Sequence, residues 1–158
     1  MDWEVEIVEP GNVPAIEAVQ ELWMAYWDSL GLPFDFQGFA DEVRGLPGKY
    51  GPPDGRLLLV SIEKQPAATA ALRSLADDSC EAKRLYVHPN YRRRGIATAL
   101  LERLVKEARD CGYRTLYGDT LPTMRSALDL YREMGFVEVG PYCANPTPNA
   151  IYLRLTLR

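Results

Sequence analysis

The sequence predicts an α/β layered fold, a mixed and mostly antiparallel sheet with helices on both faces. Short segments with two-residue apolar alternation are interleaved with longer ones whose apolar residues recur at helical spacing. Two strand-like segments, 56–63 and 67–75, are separated only by Lys64, Gln65 and Pro66, which reads as an antiparallel pair on a tight turn. No repeat, low-complexity segment or linker interrupts this order, so the 158 residues are expected to form one domain, 1–158.

Residues 3–8 alternate as a first strand and stop at Pro10-Gly11. Asn12 is a good N-cap and Pro14 suits a first turn. Ile16, Val19, Leu22, Trp23, Tyr26 and Trp27 then form an aromatic helical face up to Gly31. A shorter helix is expected over 36–44, and the Gly- and Pro-rich 46–55 reads as a surface loop. After the 56–75 pair comes a third strand, 80–88. Ile96, Leu100, Leu101, Leu104, Val105 and Ala108 next fall on one face of a helix closed by Gly112. A strand over 115–120, a helix over 124–134 stopped by Gly135, and two closing strands over 136–142 and 151–157 complete the chain.

With 47% hydrophobic and 25% charged residues the chain is an ordinary globular protein, which excludes disordered and fibrous classes. A net charge of −4 gives no global attraction to nucleic acid or anionic membranes, so neither is expected as a partner. No signal-peptide pattern opens the chain and no segment reaches membrane-spanning length, so a cytoplasmic location is expected. Cys80, Cys111 and Cys143 are scattered and read as reduced thiols. His88 is the single histidine, and no metal site is expected.

The basic run from Leu85 to Thr98 passes from a strand to a helix. Pro89 ends the strand, Gly95 lets backbone approach a ligand, and Ala97 keeps the first turn slim. Arg92, Arg93 and Arg94 add donors for phosphate oxygens. The helix start supplies unpaired N–H groups and partial positive charge, a combination suited to a pyrophosphate. Neither G-x-x-x-x-G-K-[ST] nor G-x-G-x-x-G occurs there, which removes the nucleotide-triphosphate and dinucleotide readings.

Arg92-x-x-Gly95-x-Ala97 after Leu85-Tyr86-Val87 resembles the acetyl-CoA loop of GNAT acetyltransferases. The block from Ala127 to Phe136 resembles the helix-and-glycine signature that follows it in that family. The resemblance is strong over 82–139 and weak before Gly55. It implies the GNAT fold and an N-acetyltransferase that moves acetyl from acetyl-CoA to a primary amine of a small molecule, peptide or protein by direct attack. Backbone groups of Leu85, Tyr86 and Val87 would then bind the pantetheine arm, and Arg92, Arg93, Arg94, Gly95, Ile96, Ala97 and Thr98 the pyrophosphate. A noncatalytic acyl-CoA-binding sensor is the competing reading.

By the same resemblance Tyr131 is the general acid toward the departing thiolate, and a phenol can serve if held within hydrogen-bond reach. Glu81, on the strand feeding the loop, resembles the glutamate that takes the amine proton in some members. A buried position would favour that role, though solvent could also serve. The Val87 N–H is the oxyanion donor by analogy. Many members carry Asn seven residues before the tyrosine; here that residue is Met124, with Thr120 or Thr123 as substitutes. For the acceptor, Phe34 and Tyr142 could shape a small pocket and Arg73 or Arg84 could hold a carboxylate. The closing strands could also pair across a two-fold axis into a homodimer.

Overall fold

The computed structural model describes residues 3–33, 38–143 and 149–158. Among these, the strands are β1 (Val5–Ile7), β2 (Arg56–Ile62), β3 (Gln65–Ser74), β4 (Ser79–Val87), β5 (Thr115–Thr120), β6 (Val137–Val139) and β7 (Ile151–Thr156). The helices are α1 (Val13–Ser29), α2 (Phe39–Arg44), α3 (Ile96–Asp110) and α4 (Arg125–Glu133). One seven-stranded sheet runs β1-β2-β3-β4-β5-β7-β6. Every neighbour pair is antiparallel except β4 with β5.

Local chemistry explains these boundaries. Asn12 caps α1 by accepting the Ala15 N–H at 3.3 Å, which satisfies one of the unpaired first-turn donors. The β2–β3 turn falls at Glu63 and Lys64, both in the left-handed region at φ 50° and 68°. Such a two-residue turn matches the twist of its strands, so β3 begins at Gln65, inside the segment expected to be the turn.

Both sheet faces are covered, and β2 shows how. Leu57 and Leu59 point into the cluster with Val19, Leu22, Trp23 and Phe39 of α1 and α2. Leu58 and Val60 point into the cluster with Leu100, Leu104 and Leu128 of α3 and α4. Burying each such side chain contributes roughly 1.5–3 kcal/mol, so a strand buried on both faces anchors two layers at once.

Two expectations about loops and strands are corrected. Segment 46–55 is more than a surface loop: Gly48–Tyr50 forms a 3₁₀ turn, and Tyr50 is only 1% exposed, its ring edge-on to Trp23 at 5.3 Å between centroids. A single large aromatic ring outweighs the local turn propensity. The strand expected over 136–142 contracts to Val137–Val139, and Tyr142 leaves the ladder to point back over the sheet. The expected 36–44 helix starts at Phe39 within the described residues; 34–37, and Phe34 with them, lie outside these.

Candidate active site

Strands β4 and β5 pair only at Ser79–Thr115, Cys80–Leu116 and Glu81–Tyr117, although β4 runs on to Val87 and β5 to Thr120. The sheet therefore opens into a wedge beyond Glu81. Register along β3 also shifts between Thr69 and Ala71, with Arg84 at φ 57° on the facing strand, a bulge that re-aims the end of β4. The His88 N–H donates to the Ala67 carbonyl of β3 at 2.8 Å. Alternation along an extended strand then turns the Val87 N–H and carbonyl away from β3, into the wedge.

The expected anion loop stands at the end of this open edge. Pro89–Tyr91 makes one 3₁₀ turn, and Gly95 caps α3 in the left-handed region at φ 77°, without a side-chain cap bond. The first-turn amides of α3 thus have no intrahelical acceptor, and a Cβ placed on Gly95 would meet nothing within 4 Å. A groove of about 700 Å³ is lined by Leu85, Tyr86 and Val87 and by Arg92, Arg93, Gly95, Ile96, Ala97 and Thr98. Arg94 packs over the Tyr91 ring at 5.5 Å. Arg92 folds back, its Nε donating to the Val87 carbonyl at 2.9 Å, so its charge sits where strand and loop meet.

A second cavity, of about 90 Å³, adjoins the groove and shares Tyr26, Leu85, Met124 and Ala127 with it. Tyr131 lines the smaller cavity and is 4% exposed. Its hydroxyl lies 3.5 Å from where a Cβ on Gly118 would stand; a glycine there lets the ring lie against β5. Burial, then the neighbouring Tyr26, Asp119 and Glu81, push the Tyr131 phenol well above its ordinary range, so it stays a donor. Of the two threonines that could replace the usual Asn, Thr123 lines the groove and Thr120 the smaller cavity.

Glu81 is fully buried, and both its oxygens are engaged: Oε1 accepts from Arg73 Nε at 2.8 Å and Oε2 from the Tyr142 hydroxyl at 2.5 Å. Two residues expected at the acceptor thus grip the expected base. Burial, then Glu81, push the Tyr142 phenol upward and keep it a donor. Sequence reasoning missed Asp119, which lines the smaller cavity. Glu81, Asp119 and Cys143 each bring a ligand-type atom within 4.8 Å of the others. The signal for Asp119 was slight: an acidic residue at the inner end of a buried strand, just after a glycine.

Arg84 is buried among aromatic rings, its guanidinium carbon 5.0 Å from the Trp27 centroid and 5.3 Å from that of Phe39. Its Nη2 donates to Glu42 Oε2 at 2.6 Å. Glu42 also accepts from the Tyr50 hydroxyl at 2.6 Å and meets Lys49 Nζ at 3.2 Å. Burial pushes the Glu42 carboxyl up, but Arg84, the Tyr50 hydrogen bond and Lys49 outweigh it and hold it at about 2, below the ordinary 4.5. A carboxyl depressed on folding stabilises above its unfolded pKa and loses that contribution as pH falls through the folded one. After solvent screening this is worth about 2 kcal/mol. Urea melts of wild type and Glu42→Gln should therefore differ by about that amount at pH 6 and converge as pH falls from 4.5 toward 2; a constant difference would contradict this account.

A strand edge opening onto a helix N-terminus, with a buried proton donor where the groove meets a second cavity, suits a phosphate-bearing acyl carrier and a separate acceptor. The class is an acyltransferase. The sequence matches the acetyltransferase (GNAT) family over residues 16–136. An uncharacterised N-acetyltransferase of Schizosaccharomyces pombe is 34% identical over 161 residues, covering 96% of this chain and 99% of that one. An acetyltransferase from Streptococcus agalactiae superposes with a TM-score of 0.83 at 16% identity, over 99% of both chains. A putative acetyltransferase from Salmonella typhimurium, solved with its cofactor acetyl-CoA, gives 0.66 at 19% identity, covering 100% of this chain and 95% of that one. The chain belongs to the GNAT acetyltransferase family and is an acetyl-CoA-dependent N-acetyltransferase. No helix among the described residues is long and apolar enough to cross a membrane.

Proposed function

We propose that this N-acetyltransferase acts on the primary amine of a small molecule, which enters the smaller cavity and attacks directly. The observation that carries the reading is that Tyr131 and Asp119 line one cavity of about 90 Å³ that shares Tyr26, Leu85, Met124 and Ala127 with the loop-side groove. That volume is far below the roughly 300–1,000 Å³ of sites for drug-sized ligands.

The groove residues fit the carrier: first-turn amides of α3 with Arg92 and Arg93 for the pyrophosphate, and the wedge-facing edge of Leu85 and Val87 for the pantetheine arm. When bound, acetyl-CoA supplies an activated acyl carbon. The Val87 N–H, turned into the wedge, is the donor for oxyanion charge. Tyr131 holds a proton for the leaving sulfur. Asp119, on the cavity wall, accepts the proton that the amine loses. Glu81, clamped by Arg73 and Tyr142, holds negative charge beside Asp119 and keeps the cationic amine in the cavity.

Asp119→Asn tests the assignment. Its kcat/KM for a small primary amine, followed by CoA release, should fall about 10²-fold or more, with most of the loss recovered as pH rises and more of the amine is already neutral. Equal losses at every pH, or no loss, would return the role to Glu81 or solvent.

A further inference from the structure

The carrier comes from the groove and the amine from the smaller cavity, so the new bond forms where the two spaces meet. Among the described residues, Tyr26, Leu85, Met124 and Ala127 line both. The side chains of Leu85, Met124 and Ala127 have no N–H or O–H; Tyr26 alone of this set brings a hydrogen-bond donor to the junction. In the sequence it reads as one more ring on the aromatic face of α1, and it does pack against the apolar cluster beneath that helix.

The two phenols approach this junction from opposite sides. Helix α1 covers one face of the sheet and α4 the other, so Tyr26 comes from the α1 side and Tyr131 from the α4 side. The Val87 N–H, turned into the wedge, lies in the plane of the strands between them. The Tyr26 ring lies 5.3 Å from that of Tyr86, tilted by 33°, which fixes it against β4. Its hydroxyl end is within electrostatic reach of Arg84, Asp119 and the Tyr131 phenol, all of which line the smaller cavity. Burial raises the Tyr26 phenol more than Arg84 lowers it, so the group keeps its proton at working pH.

We infer that the Tyr26 hydroxyl is a second donor to the thioester oxygen, paired with the Val87 N–H, and so a catalytic residue of the transfer. This rests on the proposed seating of the carrier in the groove. As the amine nitrogen bonds to the acyl carbon, a carbonyl electron pair moves onto oxygen, and Tyr26 and Val87 hold that charge without giving up their protons. The pair returns as the carbon–sulfur bond breaks, Tyr131 gives its proton to the sulfur, and the amine proton passes to Asp119. The oxygen is the partner that the chemistry favours. A neutral phenol gains most beside an atom that becomes negative, the leaving sulfur already has Tyr131, and the incoming amine brings protons of its own.

Tyr26→Phe keeps the ring beside Tyr86 and removes only the hydroxyl. Difference infrared spectra of the protein with acetyl-CoA labelled with carbon-13 at the carbonyl read the bound thioester directly and need no acceptor. A hydrogen bond weakens the carbonyl double bond, so the wild-type band should lie below that of free acetyl-CoA and move back toward it in Tyr26→Phe. With ethylamine, glycinamide and L-alanine as acceptors, the single-turnover rate should fall by about 10²- to 10³-fold, the usual cost of one oxyanion donor. The half-saturating amine concentration and the acetyl-CoA affinity should stay within about threefold of wild type. The same band in both proteins, a rate near wild type, or a loss confined to amine saturation or to acetyl-CoA affinity would overturn the inference and leave the small-amine reading standing. Should wild type turn over none of the three amines, the small-amine reading falls and the infrared band alone decides the role of Tyr26.

Discussion

Replacing Tyr131 with phenylalanine should lower kcat by about 10²- to 10⁴-fold while leaving acetyl-CoA affinity within about threefold of wild type. The ring fills space in the apolar cluster with Leu128 and Phe136, and phenylalanine preserves that packing. The hydroxyl is another matter. It is buried beside Gly118, and its pKa is raised by that burial and by the charges of Asp119 and Glu81. A phenol in that setting does not ionise at working pH, so it can donate to a thiolate throughout, and the kcat profile should show no loss from Tyr131 ionisation up to about pH 10. Titration of acetyl-CoA together with single-turnover acetyl transfer checks both halves. A variant with near-normal turnover would reduce Tyr131 to a packing residue.

Gly95→Val should weaken acetyl-CoA binding by about 10²-fold or more. Gly95 caps α3 at φ 77°, a conformation that costs a β-branched residue on the order of 1–2 kcal/mol. There is open space where the side chain would go, so the strain is relieved by re-aiming the first turn rather than by a clash with the core. Those first-turn amides are the proposed pyrophosphate donors, each charge-assisted bond being worth about 1.5–3 kcal/mol. Calorimetric titration should show the loss of affinity with a melting temperature only a few degrees lower. Unchanged affinity would move the pyrophosphate away from the Gly95 turn.

Much of the site could be read from the chain because it is local. A helix start, its glycine cap and the arginines before it lie within seven residues of one another, and the anion chemistry follows from that short run alone. Tyr131 was legible through the block it shares with Gly135 and Phe136. Asp119 was not, because its value comes from a strand pairing that stops two residues earlier at Tyr117. Arg73 and Tyr142 were read as candidate acceptor contacts; both turn toward Glu81, one from the neighbouring strand and one from 61 residues away.

The sequence by itself determined the layered α/β fold, the order of its elements, the α3 loop and the family signature. These depend on periodicity, turn chemistry and helix termini, which are properties of neighbouring residues. Only the tertiary structure decided that Asp119 lines the smaller cavity, that Glu81 is clamped at both oxygens, and that the Arg84 guanidinium is packed among aromatic rings against Glu42. The physical reason is that burial and charge pairing in a sheet are set across strands. A side chain's partners there are far away in sequence, and a one-residue change of register would replace them all.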